Sequence, residues 1–466
     1  MLEQGAHIHL MGICGTAMAS LAGMLKDMGY KITGSDQNVY PPMSTQLAEL
    51  GIPIMEGYKK ENLQSRPDLV IVGNVITRKH EEAEALLASD IPYTSLPKAL
   101  GEYAIAERHS VVIAGTHGKT TTTSLMSWIA ESCGKKPGFL VGGIPLNFSR
   151  SFRAPQGDWF VIEGDEYDTA FFDKVPKFIH YKPKYVVLTS VEFDHADIYN
   201  NLEDVKKAFH MLMDLIPQDG LLVVNGEDPV AMDLAKRCKA RVVTYGLEKG
   251  DYQVASRQVL VGRNQFAVVH QGRRIADLAI KQFGPHNTMN ALATFAMARE
   301  LKWPLVDILN GFAEFKGVKR RQEVIGEPRG ITVIEDFAHH PTAVDLTIKT
   351  MRERFSGHKL FAVFEPRSAT SRRRIFQQDY IKALQQAEVA IVAKPYDQSK
   401  IAEEDRFSTE ELVEAIKAHG KSAYEGDNVD HIIELLTSQA QPGDVILIMS
   451  NGGFDGIYGK LLNALG

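Results

Sequence analysis

Cysteine is scarce: three residues, Cys14, Cys133 and Cys238, stand far apart along 466 positions. That usage excludes a disulfide framework and offers no ligand spacing for a structural zinc ion. Long hydrophobic runs are absent too, since nothing approaches the roughly 18 apolar residues that a spanning helix needs. The opening residues, MLEQGAHIHLMGICG, hold no basic stretch leading into an apolar one, so the expectation is a cytoplasmic protein without membrane contact. Excess charge of one sign is missing: 52 basic against 58 acidic side chains, a formal net charge of -6, create no field that would gather nucleic acid. Low-complexity segments and repeats are lacking as well, beyond the recurrence of a βα unit.

What is present is ordinary globular material, 44% apolar and 24% charged, in a chain too long for one hydrophobic core. Two or three domains are therefore expected. Between Val111 and Glu131 the sequence VVIAGTHGKTTTTSLMSWIAE reads as a buried strand, a glycine turn and a helix. This order aims free N–H groups and a helix N-terminus at one spot, and Lys119 adds a full positive charge there. An anion fits the spot. The full phosphate-loop pattern requires a glycine where Ile113 stands, yet the shorter loop Gly115, Thr116, His117, Gly118, Lys119, Thr120 and Thr121 still supplies backbone approach, a lysine for outer phosphates and a hydroxyl for Mg²⁺. The expected ligand is a nucleoside triphosphate; the competing reading is a turn whose lysine faces solvent.

Before this unit, His7 to Met11, Lys31 to Gly34 and Asp68 to Gly73 read as strands and Thr16 to Met28 as a helix, an open sheet with its ligand edge at the strand ends. The turn from Gly12 through Gly15 to Thr16 departs from the dinucleotide fingerprint in its spacing. Asp36, following Ser35 at the end of the second strand, stands where a ribose-binding carboxylate belongs, although a solvated turn aspartate has the same sequence appearance. Pro41 and Pro42 suit a shaped loop over that edge. After the phosphate loop, Trp159 to Glu163, Tyr185 to Thr189 and Leu221 to Asn225 continue a mostly parallel sheet. The segment from Gly250 to Ile280 alternates like antiparallel edge strands. A third α/β unit opens near Val324. The expected architecture is α/β in three units, residues 1–107, 108–322 and 323–466.

Charged groups gather where strands end. Glu163, Asp165, Glu166 and Asp168 follow one apolar strand, and a phosphate-loop enzyme needs a carboxylate there for Mg²⁺; Glu163, the first, is the choice. Glu192, Asp194, His195 and Asp197 follow the next strand. Residue chemistry alone does not favour His195 as a Mg²⁺ ligand, because oxygen donors suit that ion better. His286, Asn287 and Asn290 open a helix, either as caps or as partners for the edge of a base. Lys316, Lys319, Arg320 and Arg321 form a basic run at the junction of two units, which reads either as a solvated face or as a phosphate clamp. The last unit brings Asp336, His339, His340 and Arg367 to its strand ends, and Arg367 has the chemistry to take a carboxylate bidentately.

At these residues the chain resembles the Mur ligase family, the ATP-dependent amide-forming enzymes of peptidoglycan synthesis. The resemblance runs through GICGTAMASLA with GSD, GTHGKTTTT, EGDEYDTAFFD, EFDHADIY, GPHNTMNALA, FKGVKRRQE, DFAHHPTA and EPRSATS, eight blocks in order over essentially the whole chain. Within the family it is similar to the branch acting directly on UDP-N-acetylmuramate. One activity of that branch adds L-alanine; the other attaches the recovered tripeptide L-alanyl-γ-D-glutamyl-meso-diaminopimelate during cell-wall recycling. EGDEYDTAFFDK, EFDHADIY, EPRSATS and SNGGFDGIYGKL resemble the second.

The resemblance implies a three-domain architecture, with a Rossmann-like domain at each end of a phosphate-loop ATPase domain. Lys119 and Thr120 would bind the terminal phosphates and Mg²⁺, Glu163 and His195 would be further Mg²⁺ ligands, and Lys119, Glu163 and His195 would form the catalytic set. Gly115 to Thr121, His286, Asn287, Asn290, Arg321 and Asp336 would hold ATP, with His286 and Asn290 facing adenine and Asp336 the ribose. Gly12, Gly15, Thr16, Ser35, Asp36, His339, His340 and Arg367 would serve UDP-N-acetylmuramate and the peptide. Several family members carry a carbamylated lysine beyond the histidine ligand; here His210 stands at that place, with Lys206 and Lys207 nearby. Gly164, where alanine is usual, is expected to matter little. A monomer or weak homo-oligomer is expected. Two rival classes are a nucleotide-driven switch or transport ATPase, which has no need of a second nucleotide-like unit, and an inactive binding module, which has no need to keep Lys119, Thr120, Glu163 and His195 together.

Overall fold

Apolar strands covered on both faces by helices suit mostly parallel sheets, and the computed structural model, which describes residues 2–39, 43–196 and 198–466, contains three sheets, one wholly parallel and two mixed. Pro41, Pro42 and Asp197 lie outside the described residues. The first sheet has five parallel strands in the order Ile54–Glu56, Lys31–Asp36, His7–Met11, Leu69–Val72 and Tyr93–Ser95. Strand order reverses beside His7–Met11, and the crevice opened there at the C-terminal strand ends is framed by Gly12 and Gly73. Gly12 needs its positive φ of 80° to make the turn.

The second sheet has ten strands and places the phosphate loop at its middle. His109–Ala114 lies between Trp159–Gly164 and Tyr185–Leu188, parallel to both, with Ile113 beside Glu163 and Ala114 beside Leu188. Gly115, Glu163 and Thr189 consequently leave the sheet at one edge. Leu221–Asn225 and Arg241–Gly246 extend the sheet in parallel, and the meander Tyr252–Leu260, Arg263–His270 and Arg273–Ile280 closes that side with antiparallel pairing. The alternation read in that segment is therefore borne out. The helix Lys119–Ser132 is packed by Pro285–Glu300 and Leu305–Glu314 as well as by the sheet, which is why Thr120 to Ser124 are all buried and its amphipathic pattern is faint.

The third sheet orders Glu323–Gly326, Thr332–Asp336, Val445–Met449, Leu360–Phe364, Val389–Ala393 and Ser422–Gly426. Its first strand is antiparallel and the others are parallel. The first and second sheets share one continuous apolar cluster, from Ile8 and Leu21 through Phe152 to Val112 and Phe209. Between the second and third, Arg257 holds Glu353 through two hydrogen bonds of 2.9 and 2.6 Å.

Several elements escape the sequence pattern. Ile54–Glu56, Tyr93–Ser95, Gly138–Leu140 and Phe152–Arg153 are too short to show periodicity. Leu96–Ala99 is α-helical, and Leu100–Ile105 continues it as a wider π-helix, where Gly101 lies against the His180 carbonyl. Among the described residues, no helix is long and apolar enough to cross a membrane.

Candidate active site

The phosphate loop begins with two glycines whose backbone no other residue adopts readily. Gly115 has φ +124° and Gly118, capping the helix Lys119–Ser132, has φ +80°. A Cβ on Gly118 would stand 2.5 Å from Asn290 Oδ1, so the loop is pressed against the start of Pro285–Glu300. The loop is also tied to the neighbouring strand end: Thr116 N–H donates to the Ser190 carbonyl at 2.7 Å, and the Thr189 hydroxyl donates to the His117 carbonyl at 2.6 Å.

Lys119 is nearly enclosed. Its Nζ donates to the Gly115 carbonyl at 2.7 Å and to Glu166 at 3.3 Å, with Asp165 at 3.9 Å. Burial opposes the charge, but Glu166 and Asp165 overcome it and raise the ammonium pKa. Lys119 is therefore protonated in this cavity. Beside it the Thr120 hydroxyl donates to Glu163 Oε2 at 3.1 Å, and Gly142 N–H donates to Glu163 Oε1 at 2.6 Å. Burial and then Asp165 raise the Glu163 pKa, a carboxylate placed to welcome a cation. His195 adopts φ +54° and lies 3.7 Å from Glu166, with a third of its side chain exposed. The strand ends thus bring Lys119, Thr120, Glu163 and His195 to one edge, in keeping with the order of elements.

The C-terminal unit completes the opposite wall. At the junction Arg320 and Gln322 both have positive φ, 61° and 52°, so the chain turns sharply and presents Arg321 inward. Arg321 donates to the Thr120 hydroxyl at 3.4 Å and lies over the Phe337 ring at 4.9 Å. Arg320 turns away, donating to Glu335 and to the Ser450 and Gly452 carbonyls. Of the basic run, Arg321 faces the cavity and Arg320 braces the third sheet. Asp336 accepts the Gln322 and Ala338 N–H groups, each at 2.8 Å; burial raises its pKa. His286 is half-buried, its Nε2 at 3.2 Å from Gln322 Nε2 and its Nδ1 without a partner among the described residues. Burial, then Arg257 and Arg321, push its pKa down to about 4, so the ring is neutral. His340 caps the helix Pro341–Arg354 and is likewise held at about 4, by burial first and then His117.

These groups line a cavity of about 530 Å³ between the second and third sheets, with Thr116 to Thr121, Glu163, His195, His286, Asn287, Asn290, Arg321, Asp336, His339 and His340 all on its wall. Sequence reading passed over Asn225, Glu227, Tyr245 and Thr347, which also line it. It missed Lys177 as well, whose ammonium meets Asp165 at 2.9 Å. No pattern around Lys177 marks it, because its acid partner arrives from a different segment.

Other expected residues are elsewhere. Asp36 accepts from Cys14 N–H at 2.8 Å, Asn38 N–H at 2.9 Å and the Tyr58 hydroxyl at 3.3 Å, so it shapes the first-sheet crevice beside Gly12, Gly15 and Thr16. Ser35 is buried there, its hydroxyl without a partner among the described residues. Arg367 donates to Glu365 at 3.3 Å and stacks on Tyr396 at 4.0 Å. The space left by Gly452 is taken by the Arg367 side chain itself, and Arg367 lies off the wall of the 530 Å³ cavity. At Gly164 a Cβ would stand 2.5 Å from Val112 Cγ1; this glycine is a packing requirement here, not the neutral change expected. From the helix Leu202–Leu215, Lys206 pairs with Glu203 and Lys207 with Asp204 at the surface, and His210 is not part of the cavity wall.

Three family descriptions match the chain: "Mur ligase family, catalytic domain" over residues 7–108, "Mur ligase middle domain" over 113–298 and "Mur ligase, glutamate ligase domain" over 320–452. The UDP-N-acetylmuramate--L-alanyl-gamma-D-glutamyl-meso-2,6-diaminoheptandioate ligase of Escherichia coli K12 is 39% identical over 98% of both chains. The crystal structure of a murein peptide ligase from Psychrobacter arcticus aligns at a TM-score of 0.73 with 36% identity, over 99% of both chains. A UDP-N-acetylmuramate–alanine ligase from Thermotoga maritima aligns at 0.82 with 25% identity, over 98% of both.

Proposed function

Because this chain belongs to the Mur ligase family, we propose that its cavity drives an ADP-forming ligation that joins L-alanyl-γ-D-glutamyl-meso-diaminopimelate to UDP-N-acetylmuramate at the expense of ATP. The observation that carries the reading is the convergence of Lys119, Thr120 and Glu163 from the second unit, and of Arg321 from its junction with the third, on one cavity. The near-full-length identity to the tripeptide ligase supports the choice of peptide.

The lactyl carboxylate of the muramyl sugar attacks the γ-phosphorus of ATP, so that its oxygen later leaves the carbonyl as phosphate rather than as hydroxide. Lys119 and Arg321 face the transferring phosphoryl group as fixed positive charges that need no reorganisation when negative charge shifts. That transfer leaves ADP; the peptide amine then attacks the acyl phosphate carbonyl, and collapse of the tetrahedral intermediate expels phosphate and leaves the amide. Thr120 Oγ1 and Glu163 Oε2, 3.1 Å apart, are the hard oxygen donors that Mg²⁺ takes; His195 is the third group proposed to hold it. When bound, Mg²⁺ supplies charge neutralisation at the phosphates. His286 and Asn290 face the nucleotide from the helix start, and the crevice at Gly12 to Thr16, with Ser35 and Asp36, takes the UDP moiety. His339, His340 and Arg367 belong to the peptide side. Closure of the third unit over the cavity during the reaction would keep water from the acyl phosphate.

The test is ADP formation by purified protein with UDP-N-acetylmuramate, ATP and Mg²⁺, given L-alanine in one series and the tripeptide in another. We expect the specificity constant to favour the tripeptide strongly. A value for L-alanine equal to or above it replaces this reading with the alanine-adding one.

A further inference from the structure

At the seam between the second and third sheets, on the wall of the same cavity, three side chains meet as a set that the reaction described above does not use, although His117 belongs to the phosphate loop and His340 to the peptide side. His117 is on the phosphate loop, Glu192 follows Tyr185–Leu188, and His340 caps Pro341–Arg354. His117 Nε2 is 3.2 Å from Glu192 Oε2, His340 Nδ1 is 3.8 Å from the same oxygen, and the three ligand atoms all fall within 4.8 Å of one another. The two imidazole rings are 4.8 Å apart. Donor atoms around a four-coordinate Zn²⁺ stand about 3.3 Å from each other, so a small contraction closes this set on an ion.

We infer that His117, Glu192 and His340 form a second cation site, distinct from the Mg²⁺ donors, that takes a divalent transition ion of the Zn²⁺ or Co²⁺ type and fastens the C-terminal unit to the phosphate loop. Two imidazoles and one carboxylate select such ions against Mg²⁺, which demands oxygen. The supporting contacts are those a metal site requires. His340 Nε2 faces the Phe193 carbonyl at 3.2 Å, which places the proton there and leaves Nδ1 with a lone pair; the Thr342 N–H reaches that lone pair only at a long 3.4 Å, and Glu192 lies 3.8 Å from the same nitrogen. Glu192 is oriented by the Thr342 hydroxyl at 2.7 Å. Ligands held by a carbonyl and a hydroxyl in this way are the usual outer shell of a metal centre. Glu192 retains more than a third of its side-chain exposure while His340 is buried, leaving a path for the ion from solvent and a place for a water as fourth ligand.

Tertiary docking alone creates the site, since one ligand comes from the third sheet's unit and two from the second's. An ion bound there raises the stability of the docked arrangement. Nucleotide is not required, so binding is separable from the ligase reading.

Chelator-treated full-length protein, in excess Mg²⁺ and without nucleotide, is titrated with Co²⁺ while the visible absorption of tetrahedral Co²⁺ is recorded and thermal melting is followed in the same samples. One equivalent is expected to bind and to raise Tm. His117→Gln and Glu192→Gln, both on accessible loops, should each weaken binding by about tenfold or more and abolish the Tm rise, whereas His195→Gln should retain both. His340→Gln should behave like His117→Gln; should it fail to fold, having lost its cap and its bond to Phe193, the first two variants still decide. Absence of the absorption band in the parent protein, its survival in His117→Gln and Glu192→Gln, or its loss in His195→Gln overturns the assignment.

Discussion

Replacing Lys119 by methionine keeps most of the apolar stem and removes the ammonium, with its charge and its hydrogen bond to the Gly115 carbonyl, and the surroundings allow the consequence to be worked out. At an effective dielectric constant of about 20, a charge 3.3 Å from Glu166 interacts by about 5 kcal/mol in gross terms. Much of that is offset by desolvation, which is the largest influence on Lys119 and acts against its charge. In the resting protein, therefore, the loss is moderated at Asp165, which keeps Lys177 at 2.9 Å. We expect about 2 kcal/mol of destabilisation, below the ~3–5 kcal/mol of a fully buried pair broken at one end. During phosphoryl transfer Lys177 cannot stand in, because it is held by Asp165, and a fixed donor to developing charge is worth about 3–4 kcal/mol, or 10²- to 10³-fold in turnover. Coupled measurement of ADP release at saturating substrates should show that fall, while calorimetric binding of UDP-N-acetylmuramate stays within about twofold, because the Gly12 crevice bonds to Ser35 and Asp36 rather than to this loop. Turnover within tenfold of the parent, in protein that still binds the sugar nucleotide, refutes the role given to Lys119.

Gly118→Ala forces a side chain onto φ +80° with Asn290 Oδ1 at 2.5 Å; about 1–2 kcal/mol of stability should be lost, and displacement of the loop should raise KM for ATP about tenfold or more, read by urea melts and initial rates. His286 is neutral when folded, with a pKa near 4 against 6.5 when unfolded, so the unfolded chain takes the extra proton as pH falls through that window. Its contribution is complete above pH 6.5 and declines down to pH 4; urea melts should show about 2 kcal/mol less stability near pH 5 than near pH 7 from this residue, a difference that His286→Asn removes. An acid dependence unchanged in that variant would assign the effect elsewhere.

Local order is legible because it is written between covalent neighbours. The strand, two-glycine turn and helix around Lys119 follow from an apolar run, two residues tolerant of positive φ and a helical period, and each strand end that the pattern exposes carries Glu163, His195 or Asp336 to a shared edge. The antiparallel meander from Tyr252 to Ile280 is readable for the same reason. Short edge strands such as Ile54–Glu56 are not, since three residues hold no period.

Partnerships belong to the tertiary structure. Nothing near Lys177 in the chain announces Asp165, and nothing near His117 announces Glu192 or His340; these meet because sheet order and the docking of the third unit bring them there. Arg367 has the chemistry to grip a peptide carboxylate, yet Glu365, Tyr396 and the bare backbone of Gly452 hold it along the third sheet. Periodicity and turn residues report how each segment meets water and its immediate neighbours. Which buried charge finds which partner depends on contacts between segments far apart in the chain, where the cost of leaving a charge unpaired selects the docked arrangement.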